Sequence, residues 1–217
     1  MIAVDIGRVD YGDALDLQHR LAAERANDER GDVLVVCEHA AVYTAGRNAD
    51  PDNVLDASTI PVVRADRGGD ITYHGPGQVV IYPIIRLDSS REVRRYVGVL
   101  QEACIAVAAM HGITAHAEPA LPGVWVGDEK LAAIGVRVRR GSTSHGLAFN
   151  VDPDLSDYDG IVACGIRGRG VCSLASLGVR TSTDGVARAL VDALARGLDR
   201  PVRWSDAAGL DAAGQAA

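Results

Sequence analysis

The sequence predicts an α+β fold, a mixed or largely antiparallel sheet flanked by helices. Three observations carry this prediction. Short strand-like runs outnumber helical ones, glycine-rich turn signals break them into hairpin-like pairs, and three segments have the apolar spacing of an amphipathic helix. Tyr11 to Arg25 reads as a helix, with Ala14, Leu17 and Leu21 on one face. Val33 to Cys37 is apolar throughout, as a short buried strand should be. Pro61 to Ala65 and Ile71 to Leu87 read as strands, the second broken at Gly75-Pro-Gly77. Arg91 to Met110 reads as a helix whose stripe is Val93, Val97, Leu100, Cys104 and Val107. Gly123 to Val151 has the pattern strand, turn, strand, strand. A last helix is expected with Thr183 as its cap, since Val186, Leu190 and Leu194 repeat every four residues. Residues 1–205 then form a single domain, and 206–217 read as a frayed tail.

Composition narrows the function. The 217 residues are 47% hydrophobic and 24% charged, a balance that builds a globular core and excludes disordered, fibrous and disulfide-stapled classes. The longest apolar run, Ala103 to Met110, has eight residues, far short of the ~20 that span a bilayer. With Asp5 near the start and no long apolar stretch there, a cytoplasmic location is expected. A net charge of −7 argues against a general nucleic-acid binder. Cys37, Cys104, Cys164 and Cys172 lack the spacing of a zinc site and are read one by one as thiols. Of 22 basic residues, only Lys130 is lysine. Arginine stays charged in a protein, whereas lysine can exchange a proton, so Lys130 is either a leftover surface residue or the one cation retained for proton transfer.

Four segments hold the candidate chemistry. Cys37 and Cys104 fall on buried faces, and Cys172, between Val171 and Ser173, also reads as packed. Cys164 stands in Val-Ala-Cys-Gly-Ile ahead of an Arg/Gly loop, where a chain turns and backbone can approach a ligand. It is a turn thiol or a nucleophile, and the second role needs a base or cation nearby. Arg67-Gly-Gly-Asp-Ile-Thr-Tyr-His-Gly-Pro-Gly-Gln78 places paired glycines ahead of a strand, with Arg67 and His74 as polar anchors. Lys130 precedes small residues up to Gly135 that could line an apolar slot. In Ser144-His-Gly-Leu-Ala-Phe-Asn150, His145 reads as a structural or supporting group.

Together these segments resemble the octanoyltransferases of lipoate biosynthesis, the lipoyl(octanoyl) transferase family. The marks are Glu38-His39 with Val42-Tyr-Thr-Ala-Gly-Arg47, Arg67-Gly-Gly69 with Thr72 and His74-Gly-Pro-Gly-Gln78, Lys130 with Ala133-Ile-Gly135, His145-Gly146 with Ala148 and Asn150, and Cys164-Gly165. They occur in family order across residues 8–178. The resemblance implies the fold of biotin and lipoate protein ligases, which is class II aminoacyl-tRNA synthetase-like. It implies an acyltransferase that moves octanoyl from acyl carrier protein onto a cysteine, then onto a lysine of lipoyl domains in 2-oxoacid dehydrogenases and glycine cleavage H protein. It implies no cofactor and no metal. Carried over by motif, Cys164 matches the acyl-thioester cysteine and Lys130 its partner. Arg67, Gly68, Gly69, Asp70, Ile71, Thr72, Tyr73, His74, Ala133, Ile134, Gly135, Gly146, Leu147 and Ala148 match the segments around the acyl chain. Ala40-Ala41, Ala163, Phe149 and Cys172 depart from the family pattern, and Phe149 is expected to reshape the acyl slot. An ATP-dependent lipoate or biotin ligase needs no nucleophilic cysteine, so Cys164 counts against it. A non-catalytic binder would need neither Cys164 nor Lys130. Arg137, Arg139 and Arg140 are either a docking patch for an acidic carrier or a solvated strand edge.

Overall fold

The computed structural model describes residues 1–89, 91–119 and 121–212. Its first strand, β1 (Ile2–Val9), is missing from the sequence expectations because Asp5 and Gly7 interrupt its apolar run. Pairing makes it a strand. It lies parallel to β2 (Val33–His39) and, on its other side, to β12 (Arg203–Ser205). Helix α1 (Tyr11–Ala26) connects β1 to β2. Next come β3 (Val42–Ala45), β4 (Val62–Arg64) and β5 (Ile71–His74), which form a small separate sheet in the order β4-β3-β5. After the 75–77 turn, β6 (Gln78–Ile84) runs antiparallel to β2, and helix α2 (Glu92–Met110) follows. β7 (His116–Glu118), β8 (Leu121–Val126), β9 (Glu129–Arg139) and β10 (Ser142–Asn150) extend the main sheet. Its order is β12-β1-β2-β6-β10-β9-β8-β7, with β11 (Gly170–Val171) beside β9. Helix α3 (Thr183–Leu198) and the short α4 (Ala208–Ala212) complete the described chain.

Both faces of the main sheet are covered, so its central strands alternate between two cores. Leu34 and Val36 on β2, Val79 and Ile81 on β6, and Leu147 and Phe149 on β10 pack with α2 and α3. Val33, Val35, Cys37, Val80, Tyr82 and Ala148 face α1. That two-residue alternation explains why Val33 to Cys37 carries no polar residue. It also settles Phe149, which is fully buried in the α2–α3 core, on the face away from α1. The expected reshaping of the acyl slot by Phe149 is therefore not found: a β10 side chain one position from Ala148 points to the opposite side of the sheet.

Three local expectations are corrected. The cap of α3 is Ser182, whose Oγ accepts from the Gly185 N–H at 3.2 Å, while Thr183 is the first helical residue and donates to Glu38 Oε1. The buried stripe of α2 runs through Tyr96, Val99, Leu100, Ala103, Cys104 and Val107, and Val97 lies beside it, half-buried. The tail is helical over 208–212, and Leu210 is buried against the α1-side core; residues 213–217 lie outside the described residues. Among the described residues, no helix is long and apolar enough to cross a membrane.

Candidate active site

Lys130 and Cys164, 34 positions apart in sequence, meet: the Lys130 Nζ donates to Cys164 Sγ at 2.7 Å. Lys130 lies near the start of β9, paired with Val171 of β11 and Trp125 of β8, and is only 4% exposed. Its side chain passes over Gly123, where any Cβ would press the Lys130 stem at 3.2 Å. Its ammonium then sits 4.7 Å from the centre of the Trp125 ring, a cation–π contact that fixes its direction. Cys164 occupies a short 3₁₀ turn, Ala163–Gly165, and its own backbone is left-handed at φ 56°, ψ 18°. A non-glycine residue held there stores strain that its surroundings must impose. The surroundings are tight. Gly165 follows with φ +68°, and a Cβ on it would lie 2.5 Å from Asp70 Oδ2 and 3.1 Å from Asn53 Nδ2. Asn53 donates to Asp70 at 2.7 Å through its side chain and accepts from the Val162 N–H at 2.8 Å through its carbonyl.

The thiol opens onto a cavity of about 180 Å³ between β5, β6, β9, β10 and the start of α1. Apolar cavities of ~150 Å³ already hold benzene, so this one accommodates a short unbranched acyl chain. Its walls include the small residues Gly68, Gly69, Ala133, Gly135, Gly146 and Ala148. Glycine and alanine leave the width that larger residues on β9 and β10 would fill.

Among the lining residues are the polar groups Tyr11, Arg67, His74 and His145. The Arg67 guanidinium is buried and donates to the Asp70 carbonyl at 2.7 Å, to Thr44 Oγ1 at 2.8 Å and to the Gly68 carbonyl. Burial pushes its pKa down. Burial also holds His74 well below the ordinary imidazole range and His145 at about 3, and it raises the Tyr11 phenol to about 12. Neutral His145 donates Nε2–H to Asp66 at 2.6 Å, and Asp66 is also paired with Arg137. A buried imidazole with a depressed pKa destabilises the fold once the unfolded chain can take up a proton, so stability falls as pH drops through about 6.5. At pH 5.5, His74 and His145 together should cost about 3 kcal/mol. Thermal unfolding followed by circular dichroism should show Tm falling between pH 6.5 and 5.5, above the range where carboxylates titrate. A flat Tm over that interval would mean the two rings accept protons in the folded state.

Most residues expected around the acyl chain converge on this cavity: Arg67, Gly68, Gly69, Asp70, Thr72, His74, Ala133 to Gly135, Gly146, Ala148 and Cys164 line it, and Leu147 borders it although its side chain packs in the α2–α3 core. Ile71 and Tyr73 do not. They alternate with Thr72 and His74 on β5 and pack in a separate cluster with Tyr43 and Tyr158. The sequence reading missed Tyr11, Val80, Tyr82, Leu121, Pro122 and Ile166 as lining residues, and it gave His145, which also lines the cavity, only a structural or supporting role. Val80 and Tyr82 were reachable, because they share the face of Gln78 at intervals of two along β6. Nothing in the sequence marked Tyr11, which arrives from α1. The other thiols are buried: burial raises those of Cys37 and Cys104, and that of Cys172 to about 12.

Comparison with known proteins gives the family and the fold. Residues 10–195 match the family described as lipoyl protein ligase A/B catalytic domain. The octanoyltransferase of Solibacter usitatus is 45% identical over 201 residues, covering 89% of this chain and 91% of that protein. The octanoyltransferase of Chloroflexus aggregans is 45% identical over 209 residues, covering 91% and 95%. Among solved structures, that of a bi-partite lipoate protein ligase and its E2 lipoyl domain from Thermoplasma acidophilum superposes with a TM-score of 0.75 at 17% identity, covering 98% of this chain and 90% of that one. The biotin protein ligase of Aquifex aeolicus gives 0.56 at 11% identity, covering 92% and 69%. These two show the shared mixed α+β fold. On the family match and the curated relatives, the chain belongs to the lipoyl protein ligase A/B catalytic-domain family and, within it, to the octanoyltransferases, which are acyltransferases of lipoate biosynthesis.

Proposed function

We propose that this enzyme takes octanoyl from the thioester of acyl carrier protein onto Cys164 and delivers it to the target lysine of a lipoyl domain. The observation that carries this reading is the 2.7 Å contact between Lys130 Nζ and Cys164 Sγ at the mouth of the cavity. Lys130, as the ammonium that donates to Sγ, holds Cys164 as the thiolate, and Sγ attacks the thioester carbonyl to form a new C–S bond. As the tetrahedral intermediate collapses, the bond to the carrier's sulfur breaks and Lys130 gives its proton to that leaving thiol. In the second half, the acceptor amine attacks the Cys164 thioester, Lys130 takes the amine's proton, and Cys164 leaves. The octanoyl tail lies in the cavity throughout, against the small residues of β9 and β10. Backbone N–H groups at Cys164–Gly165 and in the Gly68–Gly69 turn are the candidate donors to the oxyanion; of these, Gly68 N already donates to Val136 O and Gly165 N to Val162 O. The lipoyl domains of 2-oxoacid dehydrogenases and glycine cleavage H protein are the proposed acceptors. A reduced thiol nucleophile suits the cytoplasm.

The test is a nucleotide-free assay with octanoyl-carrier protein and a lipoyl domain. Octanoylation of the domain's lysine without ATP is expected. Modification that requires ATP and free octanoate would instead make the protein a ligase.

A further inference from the structure

A groove of about 590 Å³ runs along the outer side of the Cys164 turn. Its apolar floor includes Leu55, Ile161, Val162 and Ile166, and Arg167 and Arg169 stand at its edge. Leu55 is 59% exposed, one of three large apolar side chains so open among the described residues. Ile166 belongs to both this groove and the acyl cavity, so the two spaces meet on either side of one side chain beside Cys164. The two arginines differ. Arg169 is paired with Glu118 at 2.6 Å and stacked on Trp125. Arg167 is exposed, and among the described residues its guanidinium has no hydrogen-bond or ion-pair partner.

We infer that this groove seats the 4′-phosphopantetheine arm of the donor, with Arg167 meeting its phosphodiester. The inference rests on the reading that the donor is a carrier-bound thioester. Reach supports it. With bonds of ~1.5 Å advancing roughly 1.25 Å each, the thirteen bonds from thioester sulfur to phosphorus extend about 16 Å. The Arg167 Cα lies within about 11 Å of that of Cys164, and its long side chain covers the remainder. The arginines of β9 fit less well. Arg137 and Arg139 lie seven and nine residues beyond Lys130, about 23 and 30 Å along the strand. Arg137 is already paired with Asp66, and Arg140 donates to Asn27 at 3.1 Å. Charge supports it as well: a chain of net charge −7 can attract an acidic carrier only through a local cation, and among the described residues Arg167 forms no ion pair, although Asp159 also lines the groove.

The experiment compares octanoyl-carrier, octanoyl-4′-phosphopantetheine and octanoyl-pantetheine, which lacks the phosphate, as donors for wild type, Arg167→Glu, Arg167→Lys and Arg139→Glu. Arg167→Glu should raise KM for the two phosphate-bearing donors by about tenfold or more, the scale of one charge-assisted hydrogen bond. KM for octanoyl-pantetheine should stay within twofold, and Arg167→Lys should recover most of the loss. Arg139→Glu should leave all three donors near wild type. An unchanged KM for the carrier in Arg167→Glu, or a larger loss in Arg139→Glu, would overturn the assignment while leaving the transfer reaction intact. Equal losses with and without phosphate would also overturn it, by making Arg167 a support of the turn. A wild-type protein inactive with octanoyl-carrier would instead refute the proposed reaction.

Discussion

Replacing Cys164 with alanine should lower octanoyl transfer by roughly 10⁴-fold or more, the scale on which covalent catalysts fail without their nucleophile. Wild type mixed with octanoyl-carrier in the absence of acceptor should gain one octanoyl mass, labile to hydroxylamine, on the peptide containing Cys164. Cys172 is the control. It lies eight residues away, yet it is 1% exposed in the α2–α3 core. Cys172→Ala should therefore keep most activity and still form the adduct. An octanoyl group mapped to Cys172, or transfer persisting in Cys164→Ala, would refute the assignment of the nucleophile. Alanine and serine at 164 should both fold, since the turn is held by the Val162 N–H to Asn53 carbonyl and Gly165 N–H to Val162 carbonyl bonds and by the Asn53–Asp70 side-chain bond, and not by the sulfur.

The second large effect concerns Lys130. Lys130→Arg keeps a cation near the start of β9 and can keep a cation–π contact with Trp125, so the electrostatic setting of the sulfur is largely preserved. What arginine cannot do is release a proton to the leaving thiol or take one from the acceptor amine. Loss of one general acid–base group costs ~10²–10⁴ in rate. Lys130→Arg is therefore expected to be nearly as inactive as Lys130→Ala in both half-reactions, with circular dichroism unchanged, while Cys164 in the arginine variant still alkylates with iodoacetamide. Turnover above about a tenth of wild type in Lys130→Arg would show that position 130 supplies only fixed charge. The geometry favours proton transfer, because Nζ rests directly on Sγ at 2.7 Å.

How much of this was readable beforehand differs from element to element. The amphipathic helices, the buried Val33–Cys37 strand and the β8–β10 run are local patterns, since the spacing of apolar residues records which faces are covered. The resemblance pointed to Cys164 and Lys130, and the lone lysine among 22 cations gave Lys130 a physical reason of its own. Strand alternation could have separated Thr72 and His74 from Ile71 and Tyr73, and Ala148 from Phe149, but only with the buried face of each strand known. Other features are set by parts of the chain far apart in sequence. β1 is a strand because β2 and β12 pair with it, and Leu210 is buried because that sheet edge lies beneath it. Lys130 and Cys164, 34 positions apart, close to one hydrogen bond only when β11 lies along β9 and Asn53 holds the 162–165 turn. Composition and periodicity thus determined the fold class, and motif order the family. Tertiary structure alone decided which residues line the cavity beside Cys164, how Lys130 and Cys164 meet, and which arginine near the thiol has no ion-pair partner among the described residues. Those outcomes depend on long-range packing, which leaves no periodic trace in the chain.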